Sequence, residues 1–155
     1  MIKPIFTFIH VPDVHLSESF DALTPFMESV HEEQFHSSPD FIVFGGDNIN
    51  GSRDDGAVCE REMPILKDKL RALKVPYHIF CHNHDTWGEE CLGEQYRRYF
   101  GDEFNYSAHL PHGFVGIFMS GKYVENEVLI ENAIDNASWL DQTLNKMENQ
   151  KVLLF

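Results

Sequence analysis

Cysteine and positive charge are both scarce in this sequence. The three cysteines, Cys59, Cys81 and Cys91, are odd in number and form no C-x-x-C pair. That argues against a disulfide framework and for a reducing compartment. Cys81 closes an apolar run and reads as a small buried residue rather than a nucleophile. No apolar run approaches the ~20 residues of a membrane span. Residues 5–11 form an apolar run too short and wrongly flanked for a secretory signal. The expectation is a cytoplasmic protein with no membrane partner, although a removed leader would leave the same sequence. Lys and Arg number 12 against 25 Asp and Glu, a net charge of −13. Such a balance repels nucleic-acid backbone and anionic lipid, so no general nucleic-acid binding is expected. A phosphate-handling protein of this charge needs a local source of positive charge, and metal ions are one. There is no internal repeat and no low-complexity segment.

What is present suits one compact domain over residues 1–155. The chain is 43% hydrophobic with 13 Phe, enough to bury a core. Residues 5–11 read as a buried strand. Residues 20–35 read as an amphipathic helix with Leu23, Phe26, Met27 and Val30 on one face. Residues 41–44 are a second buried strand, followed by a long loop over 45–56. A mostly helical segment follows over 57–73, which Pro64 is expected to break or restart. Residues 76–81 are a third strand. A short helix is expected over 90–100, and a hairpin over 104–108 and 114–119 with its turn at 110–113. A helix over 137–147 and a last strand from residue 152 complete the chain. Strands alternating with helices in the first half predict an α/β fold with parallel pairing.

Ligands in open α/β sheets sit beyond the carboxyl ends of the strands. Asp13 and His15 follow the first strand. Gly45, Gly46, Asp47 and Asn48 follow the second. Asn83, His84 and Asp85 follow the third. Carboxylate, imidazole and amide donors together suit Mn, Fe, Zn or Mg rather than a thiolate-bound metal. Asp13 and His15 are two apart, so on an extended segment both point to one side. The glycines before Asp47 allow a sharp turn. Asp and Asn are also common turn formers, so each cluster alone has a bland explanation. Three clusters in register with three strand ends point to a site.

The ordered set Asp13-x-His15, Gly46-Asp47 and Asn83-His84-Asp85 resembles the first three motifs of the calcineurin-like metallophosphoesterase superfamily. The Tyr106-Ser107 hairpin and the Trp139-Leu140 helix resemble its bacterial, cyclic-nucleotide-phosphodiesterase-like branch. The resemblance implies the N-terminal part of an αββα sandwich, with a mixed sheet flanked by helices. It implies two divalent metal ions and hydrolysis of a small phosphate ester, a phosphodiester before a protein phosphate, by a metal-activated hydroxide. Asp13 and His15 would hold the first metal, Asp47 would bridge both, and Asn83 would bind the second and the substrate phosphate. His84 would touch the substrate and protonate the leaving oxygen, and Asp85 would orient His84.

Two departures from the pattern stand out. The family glycine before Asn83 is His82 here, read as a tolerated change or as an added ligand. The family's later metal-binding histidines are absent from these 155 residues. From this, the expectation is a second metal held poorly and a second sheet largely missing. The apolar sheet surface left uncovered would then invite self-association. The alternative to an enzyme is a catalytically incomplete fragment or remnant that binds metal weakly or serves only in assembly. Among the other histidines, His10 is a candidate for supporting the site. His78 is expected to pack, His109 and His112 to flank a turn, and His31 and His36 to face solvent. Arg53 is read as a loop arginine within reach of a phosphate or simply solvated.

Overall fold

The computed structural model describes residues 5–31, 38–52, 54–86, 93–121 and 128–155, with the backbone alone for residues 31 and 128–134. In chain order the elements are β1 (Phe8–Val11), α1 (Leu23–His31), β2 (Phe41–Gly45), α2 (Gly56–Arg71), β3 (Tyr77–Phe80) and α3 (Glu94–Phe100). They continue with β4 (Tyr106–Leu110), β5 (Phe114–Phe118), α4 (Val128–Asn145) and β6 (Lys151–Leu154). Short 3₁₀ turns occupy His84–Thr86 and Pro111–Gly113. His36, Arg53 and Cys91 lie outside the described residues, as does the side chain of His31.

Two three-stranded sheets face each other. The first, in the order β1-β2-β3, is parallel throughout. In the second, β4 and β5 form an antiparallel hairpin and β6 joins β5 in parallel after α4. Strand alternation explains why the two faces of β2 serve different cores. Ile42 and Phe44 point to the helices, where they meet Leu23 and Val30 of α1, Met63 and Leu66 of α2, and Tyr96 of α3. Phe41 and Val43 point the other way, to Phe80, Leu110 and Phe118 between the sheets. Both faces are covered, so all four residues are buried and the strand reads as an unbroken apolar run. Across the second sheet, Asn136 of α4 accepts a hydrogen bond from the Asn105 side chain at 2.7 Å. The order of layers is therefore helices, sheet, sheet, helix.

Several expectations need correction. The second sheet is not largely missing: three strands of it are present, and they bury the inner face of the first sheet. Among the described residues β1 and β6 are outer strands of the two sheets and run close, with the rings of Phe8 and Phe155 5.4 Å apart. Pro64 lies inside α2 without ending it. Cys59, Met63, Leu66 and Leu70 on one buried stripe outweigh the missing amide proton. Helix α1 starts at Leu23 rather than near Phe20, because the Asp21 carboxylate accepts the amides of Leu23 and Thr24 and caps the first turn. Helix α4 begins nine residues before the expected start, and the apolar Val128, Leu129 and Ile130 form its first turn.

His78 packs as expected, stacked on Phe118 with ring centroids 4.5 Å apart. His109 is an exposed residue of β4, and His112 sits in the turn with φ of 57°.

Candidate metal centre

Three loops leave the carboxyl ends of β1, β2 and β3 side by side. The first two are zipped together by their backbones. The amides of Asp13, His15 and Leu16 donate to the carbonyls of Gly46, Asp47 and Asn48 at 3.2, 2.9 and 3.0 Å. This extends the β1–β2 pairing beyond the strands, but not as an extended chain. Asp13, His15 and Asp47 have φ of 52°, 48° and 47° in the order Asp13, Asp47, His15, all left-handed. Non-glycine residues in that region cost roughly 1–3 kcal/mol each and persist where the surroundings enforce them. Here the enforcement is visible: Val14 and Leu16 are buried in the core on either side of His15. Asp13 and His15 stay on the solvent side for that reason, not because the segment is extended.

The second and third loops are joined by Asp85, which is completely buried. Its Oδ1 accepts the amides of Asn48 and Ile49 at 2.9 and 3.1 Å. Its Oδ2 accepts the Asn48 side-chain amide at 2.9 Å and the His82 amide at 3.0 Å. Burial pushes the carboxyl up to about 6, while the N–H donors from His82, Ile49 and Asn48 pull it down. Asn48 also donates to the Phe80 carbonyl at 3.0 Å. Turning the amide over would set its oxygen against two acceptors, so the assignment is firm. Asn48 Oδ1 is left buried with no hydrogen-bond partner among the described residues.

This scaffold brings three of the expected residues into one cluster. One ligand atom each of His15, Asp47 and His84 lies within 4.8 Å of the others. The rings of His15 and His84 meet edge to face, 4.5 Å between centroids. Asp47 also accepts the backbone amide of His84 at 3.0 Å. The His84 ring is held through Nδ1 on the Asn50 carbonyl. A carbonyl only accepts, so Nδ1 carries the proton. Asp13 is largely exposed, its Oδ1 3.9 Å from His15 Nε2. Asn83 is half-buried and presents Oδ1 to His82 Nδ1 at 2.5 Å. His82 Nδ1 is in turn 3.5 Å from Asp47 Oδ1. Asp85, expected to orient His84, directs its carboxylate to Asn48, Ile49 and His82. His10 lies on the face between the sheets, its ring against Phe155 and closing the space beside Gly45.

Gly46 shows why a glycine precedes Asp47. Its φ is 81°, and a Cβ there would lie 2.7 Å from the His82 Cβ. Asn48, named after the second strand but given no role there, is the joint between two loops. Residues that sequence reasoning passed over also build the site, and the Asn50 carbonyl holds His84. The buried Glu62 accepts the Gly51 amide at 2.8 Å and steadies the far end of the second loop. A polar residue inside an apolar helical stripe is the signal that Glu62 carried. The carbonyl of Asn50 left none, since every residue has one. The cleft between α4 and the second sheet, lined by Trp139, Met147 and Tyr106, contains none of the clustered residues.

The donor set fits a divalent metal. Two imidazoles and a carboxylate converge, all half-buried, a set that could hold a metal ion. No helix among the described residues is long and apolar enough to cross a membrane. Over 133 residues the chain is 28% identical to a probable glycerophosphodiester phosphodiesterase, GpdQ, of Arcobacter nitrofigilis. That match covers 81% of this chain but 44% of the relative, so the chain spans less than half of its length. The fold is similar to that of a dimetal phosphatase from Danio rerio, with a TM-score of 0.65 at 16% identity. That likeness covers 99% of this chain and 69% of the other. The model of the calcineurin-like phosphoesterases matches residues 6–153, and with it the order of strands and loops that gathers His15, Asp47 and His84: the chain belongs to the calcineurin-like phosphoesterase family.

Proposed function

We propose that this chain carries out metal-dependent hydrolysis of a phosphate ester, and of a small phosphodiester in preference to a protein phosphate. The observation that carries the reading is the convergence of His15, Asp47 and His84 at the carboxyl ends of parallel strands. The preference for a diester is supported by the bacterial relative, whose name describes a glycerophosphodiester phosphodiesterase.

In this reading Asp13 and His15 would hold one divalent ion, Asp47 would serve both ions, and Asn83 would hold the second. When bound, the ions supply Lewis acidity and make a water nucleophilic near neutral pH. They also provide the positive charge that a chain of net charge −13 otherwise lacks. Asp47 is suited to bridging because two neighbouring dications need negative charge between them, and its carboxylate is mostly sheltered from water. The amide of Asn83 offers donors to a phosphate oxygen. His84, anchored through Nδ1–H on Asn50, would present Nε2 to the substrate and, as the imidazolium with a second proton on Nε2, give that proton to the leaving oxygen and keep the one on Nδ1. Asp85 acts on His84 and Asp47 as a positioning residue, by fixing the backbone of the loops that bear them.

The test is hydrolysis of a chromogenic phosphodiester with added Mn²⁺, comparing the chain with Asp47→Ala. Turnover that vanishes in the variant supports the reading. No turnover, or equal turnover in both, rejects it and leaves a chain that binds metal weakly or serves only in assembly.

A further inference from the structure

We infer that His82 is a ligand of the second metal subsite, an imidazole added where the family pattern has glycine; the inference rests on the reading above. Asp47 lies between two groups of donors. On one side are His15 and His84. On the other are Asn83 and His82, whose Nδ1 is 2.5 Å from Asn83 Oδ1 and 3.5 Å from Asp47 Oδ1. Two donors each ~2.1 Å from one ion, at the tetrahedral angle, stand roughly 3.4 Å apart. The His82–Asp47 separation of 3.5 Å matches that edge, whereas His82 Nδ1 and Asn83 Oδ1, hydrogen-bonded at 2.5 Å, must part by roughly 1 Å to share an ion.

The ring is placed, not merely nearby. The backbone on either side of it is pinned: the His82 amide donates to Asp85 Oδ2 at 3.0 Å, and its carbonyl accepts from Thr86 Oγ1 at 3.2 Å. Glycines flank the side chain. A Cβ on Gly46 would lie 2.7 Å from the His82 Cβ, and a Cβ on Gly121 would run into the imidazole. Gly121 is itself held to the third loop, its amide donating to the Cys81 carbonyl at 3.0 Å. The resulting slot aims Nδ1 at Asn83 and Asp47. The Asn83 oxygen accepts from Nδ1–H in the ring's present state, and an incoming cation would displace that proton. Among the described residues, His82 would join Asp47 and Asn83 around the second ion.

Metal binding itself is the readout. The chain, His82→Gly and His82→Ala are titrated with MnCl₂ by calorimetry, without substrate. The expected result is two ions for the parent chain, with the second weakened at least ~10-fold in both variants and the first unchanged. A second measurement uses ¹⁵N-histidine-labelled parent chain and Zn²⁺. The His82 signal, identified by its loss in the variants, should move on saturation. Two ions bound with parental affinity in both variants, or a His82 signal unmoved by Zn²⁺, overturns the inference; His82 would then be only a charge partner of Asp47. That failure differs from failure of the phosphoesterase reading, which is decided by whether Mn²⁺-dependent turnover disappears in Asp47→Ala. A parent chain that binds no ion overturns both.

Discussion

Asp85 grips Asn48 at two points, its Oδ1 on the backbone amide and its Oδ2 on the side-chain amide, both at 2.9 Å. One buried residue of the third loop thereby fixes the second loop in position and direction. Asp85→Asn would turn one acceptor into a donor facing N–H groups and leave them unpaired. A loss of ~2–4 kcal/mol is expected, since each stranded buried donor costs ~1–3 kcal/mol. Metal affinity should fall ~10–100-fold as the ligands lose their support. Urea unfolding and Mn²⁺ titration check this, and a variant as stable as its parent would show that the clamp is unimportant.

The edge of the first sheet is closed by tyrosines. The Tyr106 hydroxyl accepts the Ile79 amide at 3.2 Å and reaches the Ile79 carbonyl at 3.1 Å, where Tyr96 also donates at 3.0 Å. Tyr106→Phe keeps the stack on Phe118 but strands the Ile79 amide. A destabilisation of ~1–3 kcal/mol is expected by chemical denaturation. A change near zero would mean that water replaces the hydroxyl.

His78 makes stability depend on pH. Burial between the sheets pushes its pKa below the ordinary 6.5. The folded state therefore prefers the neutral ring. The contribution is present above 6.5 and is lost as pH falls below that value toward the folded pKa. His78→Phe should flatten this part of the acid limb while keeping a stack on Phe118. Unfolding midpoints of both proteins, measured well above and well below 6.5, decide it. Parallel acid limbs would rule His78 out.

Gly46 and His82 should be energetically coupled. Gly46→Ala combines a left-handed φ of 81° with a Cβ 2.7 Å from the His82 Cβ. The backbone conformation alone costs ~1–2 kcal/mol for a residue with a Cβ. In the His82→Gly background the contact disappears and only the backbone cost remains. A double-mutant cycle should give a coupling of ~0.5–3 kcal/mol. Strict additivity would contradict the close packing of the two loops.

Metal removal should lower thermal stability as well as activity. A ligand that binds only the folded state at 100 times its Kd stabilises by ~2.7 kcal/mol. Chelation should therefore depress the melting temperature, and MnCl₂ should restore it. Asp47→Ala should abolish the shift, because Asp47 belongs to the cluster with His15 and His84. An equal shift in the variant would place the metal elsewhere.

Much of the fold was legible because burial leaves a periodic trace. The apolar run of β2 reads as a strand covered on both faces, and it is. The start of α4 was missed although Val128, Leu129 and Ile130 are apolar, because Glu131, Asn132, Asp135 and Asn136 interrupt the apolar run before Ala137. The second sheet was underestimated because a strand of four residues at the end of the chain, β6, pairs with β5 across a whole helix. No local pattern reports such a partner.

The sequence by itself determined the candidate donors, their order, and their position just after three strands, because parallel strands end on one side of their sheet. It determined the family for the same reason. Only the tertiary structure decided which side chains meet. His15, Asp47 and His84 converge because backbone hydrogen bonds zip the first two loops and a buried carboxylate joins the third. It also decided that Asp85 serves the loops and that His82 lies beside Asp47. Such relations depend on distances between segments more than thirty residues apart, which no spacing along the chain encodes.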